Sequence, residues 1–199
     1  PVSPLTVPPP NPHEASEAIP FDWASETARH VGTLVHRYLE RIARDGLNNW
    51  DEACIDGQLT GFTAGLRNLG VEDKDLPAAS GRVAEALKKT LADERGRWLL
   101  QDHDDARCEW ALSERTSFGV RHHVIDRTFV DAEGVRWIID YKSGSHAGAD
   151  VDDFLDQEQA RYQQQLEGYA RVLRAMEQRP TRLALYHPQL GGWREWSPD

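Results

Sequence analysis

Cysteine is scarce in this chain, with Cys54 and Cys108 the only two among 199 residues. They can form one disulfide at most, which excludes a disulfide-stapled scaffold. They are also too few for a four-thiolate zinc site or an iron–sulfur cluster. The default compartment for such a chain is reducing and intracellular. Long apolar runs are missing as well. No stretch approaches the ~18 consecutive apolar residues that a membrane span needs, and no basic segment precedes an apolar core as in a signal peptide. Lysine occurs only at positions 74, 88, 89 and 142, so most of the positive charge is arginine. The formal net charge of −10 argues against a protein that simply coats nucleic acid, because phosphate neutralisation needs clustered Lys and Arg. It leaves open an enzyme whose own site is acidic. With a hydrophobic fraction of 39%, the chain reads as one soluble globular domain, alone or with a tail.

Residues 1–22 read as a Pro-rich linker or tail. Seven of the eleven prolines lie between Pro1 and Pro20 in a polar setting without periodicity, and the chain starts without methionine, as a segment following something upstream would. From Ser25, the expected N-cap, Ala28, Val31, Val35, Tyr38, Leu39 and Ile42 form the stripe of an amphipathic helix that Gly46 ends. Further helical patterning follows, read as a helical insert at about 47–100 with breaks at Gly70, Pro77 and Gly81. Three strands are then predicted at 107–114, 120–131 and 135–142, where β-branched and aromatic residues partly alternate. A long helix over about 151–178 carries Leu155, Tyr162, Leu166, Tyr169, Leu173 and Met176 inward, and Pro180 stops it. Two short strands, 182–186 and 193–196, face each other across Gly191-Gly192. This order predicts an α/β (α+β) domain built on a small mixed sheet flanked by helices.

The second and third strands are joined by Ala132-Glu133-Gly134, a three-residue hairpin loop with Gly at its left-handed position. If Asp131 pairs with Val135, opposed residues have numbers summing to 266, and Asp126 faces Asp140. Like charges so opposed are destabilising and call for a shared proton or a cation between them. Lys142, two residues past Asp140, falls on the same face, whereas Trp137, Ile139 and Tyr141 suit a core on the other. Two acids and a lysine at one place suit divalent-metal chemistry on a phosphoryl group, with Mg²⁺ or Mn²⁺ on hard oxygen ligands and the lysine serving the water or the developing charge. By pattern alone, a solvated strand end with Asp126 paired to an arginine is the commoner case.

Ile138-Ile139-Asp140-Tyr141-Lys142-Ser143-Gly144, preceded by Val124-Ile125-Asp126-Arg127, resembles the core motif of PD-(D/E)XK nucleases of the RecB/AddA type, which are fused to superfamily I helicases. Gly32-Thr33-Leu34-Val35-His36 resembles the glycine–histidine helix motif of that family, and Gln165-Leu166-Glu167-Gly168-Tyr169 its Q-x-x-x-Y motif. Glu109 resembles the acid that often precedes the aspartate motif, with Glu114 the alternative if the first strand is shifted in register. The resemblance spans roughly residues 28–190 outside the helical insert. It implies a restriction-endonuclease-like core and an Mg²⁺- or Mn²⁺-dependent deoxyribonuclease without an iron–sulfur cluster, as in the C-terminal domain of bacterial exonuclease V beta-type helicase-nucleases. It further implies an exonuclease role in double-strand break repair and recombination, single-stranded DNA ends as substrate, an upstream helicase and a partner subunit, and a bacterial cytoplasm.

The resemblance assigns metal ligation to His36, Asp126, Asp140 and the backbone carbonyl of Tyr141, and catalysis to Asp126, Asp140, Lys142 and Gln165. Glu109, Tyr162 and Tyr169 are auxiliary candidates. If a neutral His36 nitrogen binds the ion, affinity should fall below the free imidazole pKa of ~6.5. Gln165, read as an amide within the buried stripe of the last helix, either locks that helix to the sheet or reaches the metal-bound water. His122 and His123 point to opposite faces and cannot easily bind one ion. His146 reads as solvated in a Gly-rich loop, and Arg161, Arg171 and Arg174 as phosphate contacts or as a charged outer face. The alternatives to a helicase-linked nuclease are an inactive nuclease-like module that guides DNA or docks a subunit, and a free-standing phage or CRISPR-associated exonuclease.

Overall fold

The computed structural model describes residues 23–117, 119–143 and 150–198. The Pro-rich segment 1–22 and His146 lie outside the described residues. Helix α1 (Trp23–Asp45) buries Val31, Val35, Leu39 and Ile42 on one stripe, the spacing a helix needs to cover a core. It begins two residues before Ser25, which therefore sits in its first turn rather than at the expected cap. A 3-10 turn (Leu47–Asn49) leads to α2 (Glu52–Gly57), α3 (Leu59–Asn68), α4 (Leu76–Ala92) and α5 (Glu94–Leu100). Pro77 stands in the first turn of α4, where its missing N–H breaks no bond, and Gly81 lies inside that helix, so neither interrupts it as expected.

The sheet has five strands in the order β1 (Asp104–Thr116), β2 (Gly119–Val130), β3 (Arg136–Tyr141), β4 (Thr181–His187), β5 (Gly192–Trp196). β1, β2 and β3 form an antiparallel meander, and β4 and β5 a hairpin. β3 and β4 run parallel, which requires the crossover that α6 (Val151–Arg174) supplies. α6 ends before the expected limit, so Met176 lies past it and is 61% exposed instead of facing inward.

β3 is buried on both faces. Trp137, Ile139 and Tyr141 join α1 and helices α2 to α5 in the larger apolar cluster, so the 47–100 helices build one of the three layers. Ile138 packs with Leu166, Tyr169 and Leu173 of α6 in the smaller one. Each Leu or Ile so buried contributes roughly 1.5–3 kcal/mol relative to exposure. The β2–β3 register is the expected one, with Arg127 opposite Ile139 and Phe129 opposite Trp137. Its turn is set by Asp131, whose Oδ1 accepts from the N–H groups of Glu133 at 3.0 Å and Val135 at 2.8 Å, while Oδ2 accepts from the Trp137 indole at 2.7 Å. Gly134 holds φ +80 there, a backbone conformation L side chains rarely adopt.

Arg136, 2% exposed at the start of β3, donates to Glu177 Oε1 at 2.6 Å and to Asp105 Oδ2 at 2.5 Å. It ties the first residues of β1 and the chain after α6 to the centre of the sheet. Arg136→Ala should lower stability by roughly 2 kcal/mol, less than the ~3–5 kcal/mol of a fully enclosed pair because both carboxylates reach water. The arginine holds both acids below their usual range, although desolvation opposes it. A depressed carboxylate pKa stabilises the fold above its unfolded value, and the contribution disappears as pH falls through the folded one. The difference between variant and wild type in thermal melts should therefore shrink below about pH 4, and a gap independent of pH would refute the ion-pair account.

Candidate metal centre

His36 is brought to the sheet by α1, whose Gly32, one turn earlier, abuts Ser143. A Cβ on Gly32 would lie 2.0 Å from the Ser143 hydroxyl oxygen. His36 Nδ1 lies 3.6 Å from Asp126 Oδ2, and the ring meets that of Tyr141 edge-on at 5.5 Å between centroids. Asp126 stands where both of its ladders stop. The β2–β3 pairing ends at Arg127 opposite Ile139, one step before Asp126 would oppose Asp140, and the Tyr141 N–H donates to Asp126 Oδ2 at 2.8 Å. On its other side the β1–β2 register runs unchanged through Cys108–Arg127 and Trp110–Ile125 but skips the intervening pair, Glu109 and Asp126. Glu109 there holds φ +47, a conformation worth roughly 1–3 kcal/mol of strain in a non-glycine residue.

Ligand atoms of His36, Glu109 and Asp126 all lie within 4.8 Å of one another. Opposite ligands of an ion coordinated at ~2.1 Å are about 4 Å apart, so the three sit at a comparable spacing. The acid expected as an auxiliary thus stands inside the cluster. Asp140 is not one of the three. Its Oδ1 accepts from Gln165 Nε2 at 3.3 Å, and its Oδ2 makes an ion pair with Lys142 Nζ at 2.6 Å. Lys142 lies on the Asp140 face as expected, with its ammonium 3.5 Å above the Tyr162 ring, a cation–π contact. Gln165 also donates to the Tyr169 hydroxyl at 2.7 Å. It is exposed at the edge of the α6 stripe rather than buried within it, and solvent can reach it.

The electrostatics are those of acids crowded together, with Lys142 the counter-charge beside Asp140. Burial first, and then the charge of Asp140, pushes the Asp126 carboxyl up to about 8, against the Tyr141 N–H. Burial also raises Asp140, with Lys142 opposing. Burial raises Glu109 too, aided by Glu40 and Asp140. Burial, followed by the Lys142 charge, lowers His36 to about 4, and a hydrogen bond to the Tyr141 backbone partly offsets this. The expected loss of metal affinity below pH 6.5 through His36 is therefore displaced. His36 is already neutral there, and the competing proton sits on Asp126. Two carboxylates and an imidazole suit a hard divalent cation such as Mg²⁺ or Mn²⁺, which lets neighbouring acids ionise together.

The sequence pattern of the PD-(D/E)XK nuclease superfamily matches residues 15–194. The chain belongs to that superfamily. Its mixed five-stranded sheet between helical layers is the restriction-endonuclease-like architecture, and nucleases of this superfamily use divalent metals. No curated protein matched the chain.

Other residues of the chain fall outside the centre. His122 Nδ1 contacts Ser113 Oγ at 3.0 Å and His123 Nε2 contacts Glu114 Oε2 at 3.3 Å, so the two histidines do face opposite ways. Glu114 is tied to His123 and Arg171, which leaves Glu109 as the β1 acid near the cluster. Arg174 bonds the Pro198 carbonyl at 3.0 Å. Cys54 and Cys108 are free thiols. No helix among the described residues is long and apolar enough to cross a membrane. Sequence reasoning missed Glu40, whose charge bears on Glu109. Its position four residues after His36 on one helix was the available signal.

Proposed function

We propose that this chain hydrolyses phosphodiester bonds of single-stranded DNA with Mg²⁺ or Mn²⁺. The observation that carries the reading is the meeting of His36, Glu109 and Asp126 beside the Asp140–Lys142 pair. His36, Glu109 and Asp126 would hold the ion, with Asp140 and the Tyr141 carbonyl next to them. Such an ion supplies Lewis-acid polarisation of a phosphoryl oxygen and a water of lowered pKa. Lys142, held between Asp140 and the Tyr162 ring, donates to the attacking water or to the negative charge that develops on the phosphate. Gln165 keeps Asp140 in place and joins it to Tyr169.

The helicase context is part of this proposal. It rests on the order of the four RecB/AddA-like motifs and on the charge balance. A net charge of −10 opposes encounter with DNA, and a tethered helicase overcomes that by presenting the emerging strand at millimolar effective concentration. Exonucleolytic processing of broken ends in a bacterial cytoplasm, with a partner subunit, completes the reading.

Single-stranded DNA incubated with the chain at high protein concentration should be degraded slowly with Mn²⁺ or Mg²⁺, less as salt rises and not at all with EDTA. Asp140→Ala should abolish the activity, and Lys142→Ala should cut turnover by roughly 10²–10³ while metal binding persists. Equal rates in both variants and wild type would assign cleavage to a contaminant. Inactivity of the wild type with every metal and strand, and also when joined to a helicase, would leave a non-catalytic module.

A further inference from the structure

Beyond the point where β3 stops, residues 110–125 of β1 and β2 continue as a two-stranded arm paired only with itself among the described residues. Its inward face lies against the second half of α6. Between them runs an open groove of about 630 Å³ whose lining includes Arg121, Arg161, Arg171, His123, Gln165 and Tyr169. Arg121 and His123 alternate on the side of β2 that faces it, and His122 also reaches its rim. Arg161 also lines the neighbouring cleft between α1 and α6, where His36 and Lys142 stand. The two clefts meet beside the carboxylates, and Gln165, which bonds Asp140 at 3.3 Å, is on the wall of the groove.

We propose that this groove holds the phosphate backbone of the single DNA strand flanking the scissile bond, with Arg121, Arg161 and Arg171 as its phosphate contacts. The inference rests on the nuclease reading for the scissile bond, and the groove adds the flanking subsite. Three arginines line the groove, with two acids, Glu158 and Glu114, beside them, which leaves a locally positive stripe on a protein of net charge −10. Existing partners hold two of the arginines loosely. Arg161 lies 3.4 Å from Glu158, and Arg171 lies 3.5 Å from Glu114. Exposed pairs of this kind are worth about 0–1 kcal/mol, so a phosphate can displace them. From Arg161 to Arg171 the helix advances ~15 Å, the length of a few nucleotides. The floor is firm, because His123 is fixed by Glu114 and packs edge-on against Tyr169 at 5.5 Å. A groove of this volume, about 630 Å³, takes a short run of a single strand.

The test is fluorescence anisotropy of a labelled twelve-nucleotide oligo(dT) with the full chain in EDTA, repeated over a range of NaCl concentrations. Each phosphate contact on a single strand contributes about 0.7 to the slope of log K against log salt. The double variant Arg121→Gln, Arg171→Gln should bind more weakly, with the slope reduced by about 1.4. Arg121→Lys, Arg171→Lys should retain the slope. Both side chains are exposed, and matching thermal melts would confirm intact folds. An unchanged affinity and slope in the glutamine variant, or the same loss in the lysine variant, would overturn the groove. So would equal competition by a duplex of the same length. The nuclease reading is judged separately by Mn²⁺-dependent cleavage with the wild type: cleavage with no slope change sinks the groove alone, and a slope change without cleavage sinks the nuclease alone.

Discussion

Asp126→Asn should yield a folded protein that no longer cleaves DNA and binds Mn²⁺ far more weakly than wild type. The asparagine retains a carbonyl oxygen for the Tyr141 N–H now bonded at 2.8 Å, so the backbone where β2 and β3 part keeps its partner. What disappears is one of the three ligand groups and its charge. Losing a residue that merely orients a ligand costs ~10–100-fold in metal affinity, and losing the ligand should cost more. The substitution also removes a carboxyl whose ionised form the fold disfavours, so without metal at pH 8 the variant should melt at or above the wild-type temperature. Retained cleavage would remove Asp126 from the centre. A collapse of stability at pH 8 would mean that the carboxylate supports the fold rather than straining it.

The gain in melting temperature on adding Mn²⁺ should be much larger at pH 8 than at pH 6. A ligand that binds only the folded state stabilises it by ~2.7 kcal/mol at 100 times its Kd. With the Asp126 carboxyl near 8, metal must displace a proton at lower pH, and each unit costs up to about tenfold in affinity, or roughly 100-fold over this range. The metal-free protein should move the other way. A carboxyl raised by folding stabilises most below its unfolded pKa and loses that contribution as pH rises through the folded value, here from about 4 to about 8. His36, lowered to about 4, contributes stability above ~6.5 that is lost as pH falls towards 4, and it does not compete with metal between pH 6 and 8. Calorimetric Mn²⁺ titrations of His36→Ala should therefore show weaker binding with the same pH slope over that interval. Unchanged affinity would make His36 structural, and a flattened slope would place the competing proton on the histidine.

The sequence by itself determined the elements whose causes are local. The β2–β3 register followed from a loop that ends in Gly134, because period-two alternation propagates one turn along the whole hairpin. The α1 stripe followed from the spacing of Val31, Val35, Leu39 and Ile42, and the motifs proposed for the metal centre are each short enough to lie on one element. Boundaries suffered where a residue has two uses: Pro77 breaks a helix interior but suits its first turn, and Gly81 is tolerated where α4 is already packed. Only the tertiary structure decided how the motifs meet. His36 and Asp126 stand 3.6 Å apart although nearly half of the chain separates them in sequence, Glu109 reaches the cluster through a positive φ that no propensity anticipates, and Asp140 turns to Lys142 and Gln165. Nor could alternation say that the β1–β2 arm outruns β3 and leaves a basic groove beside α6. Periodicity reports which face of its own element a residue occupies, whereas ligand geometry and pKa depend on which faces pack together and on how much water that packing excludes.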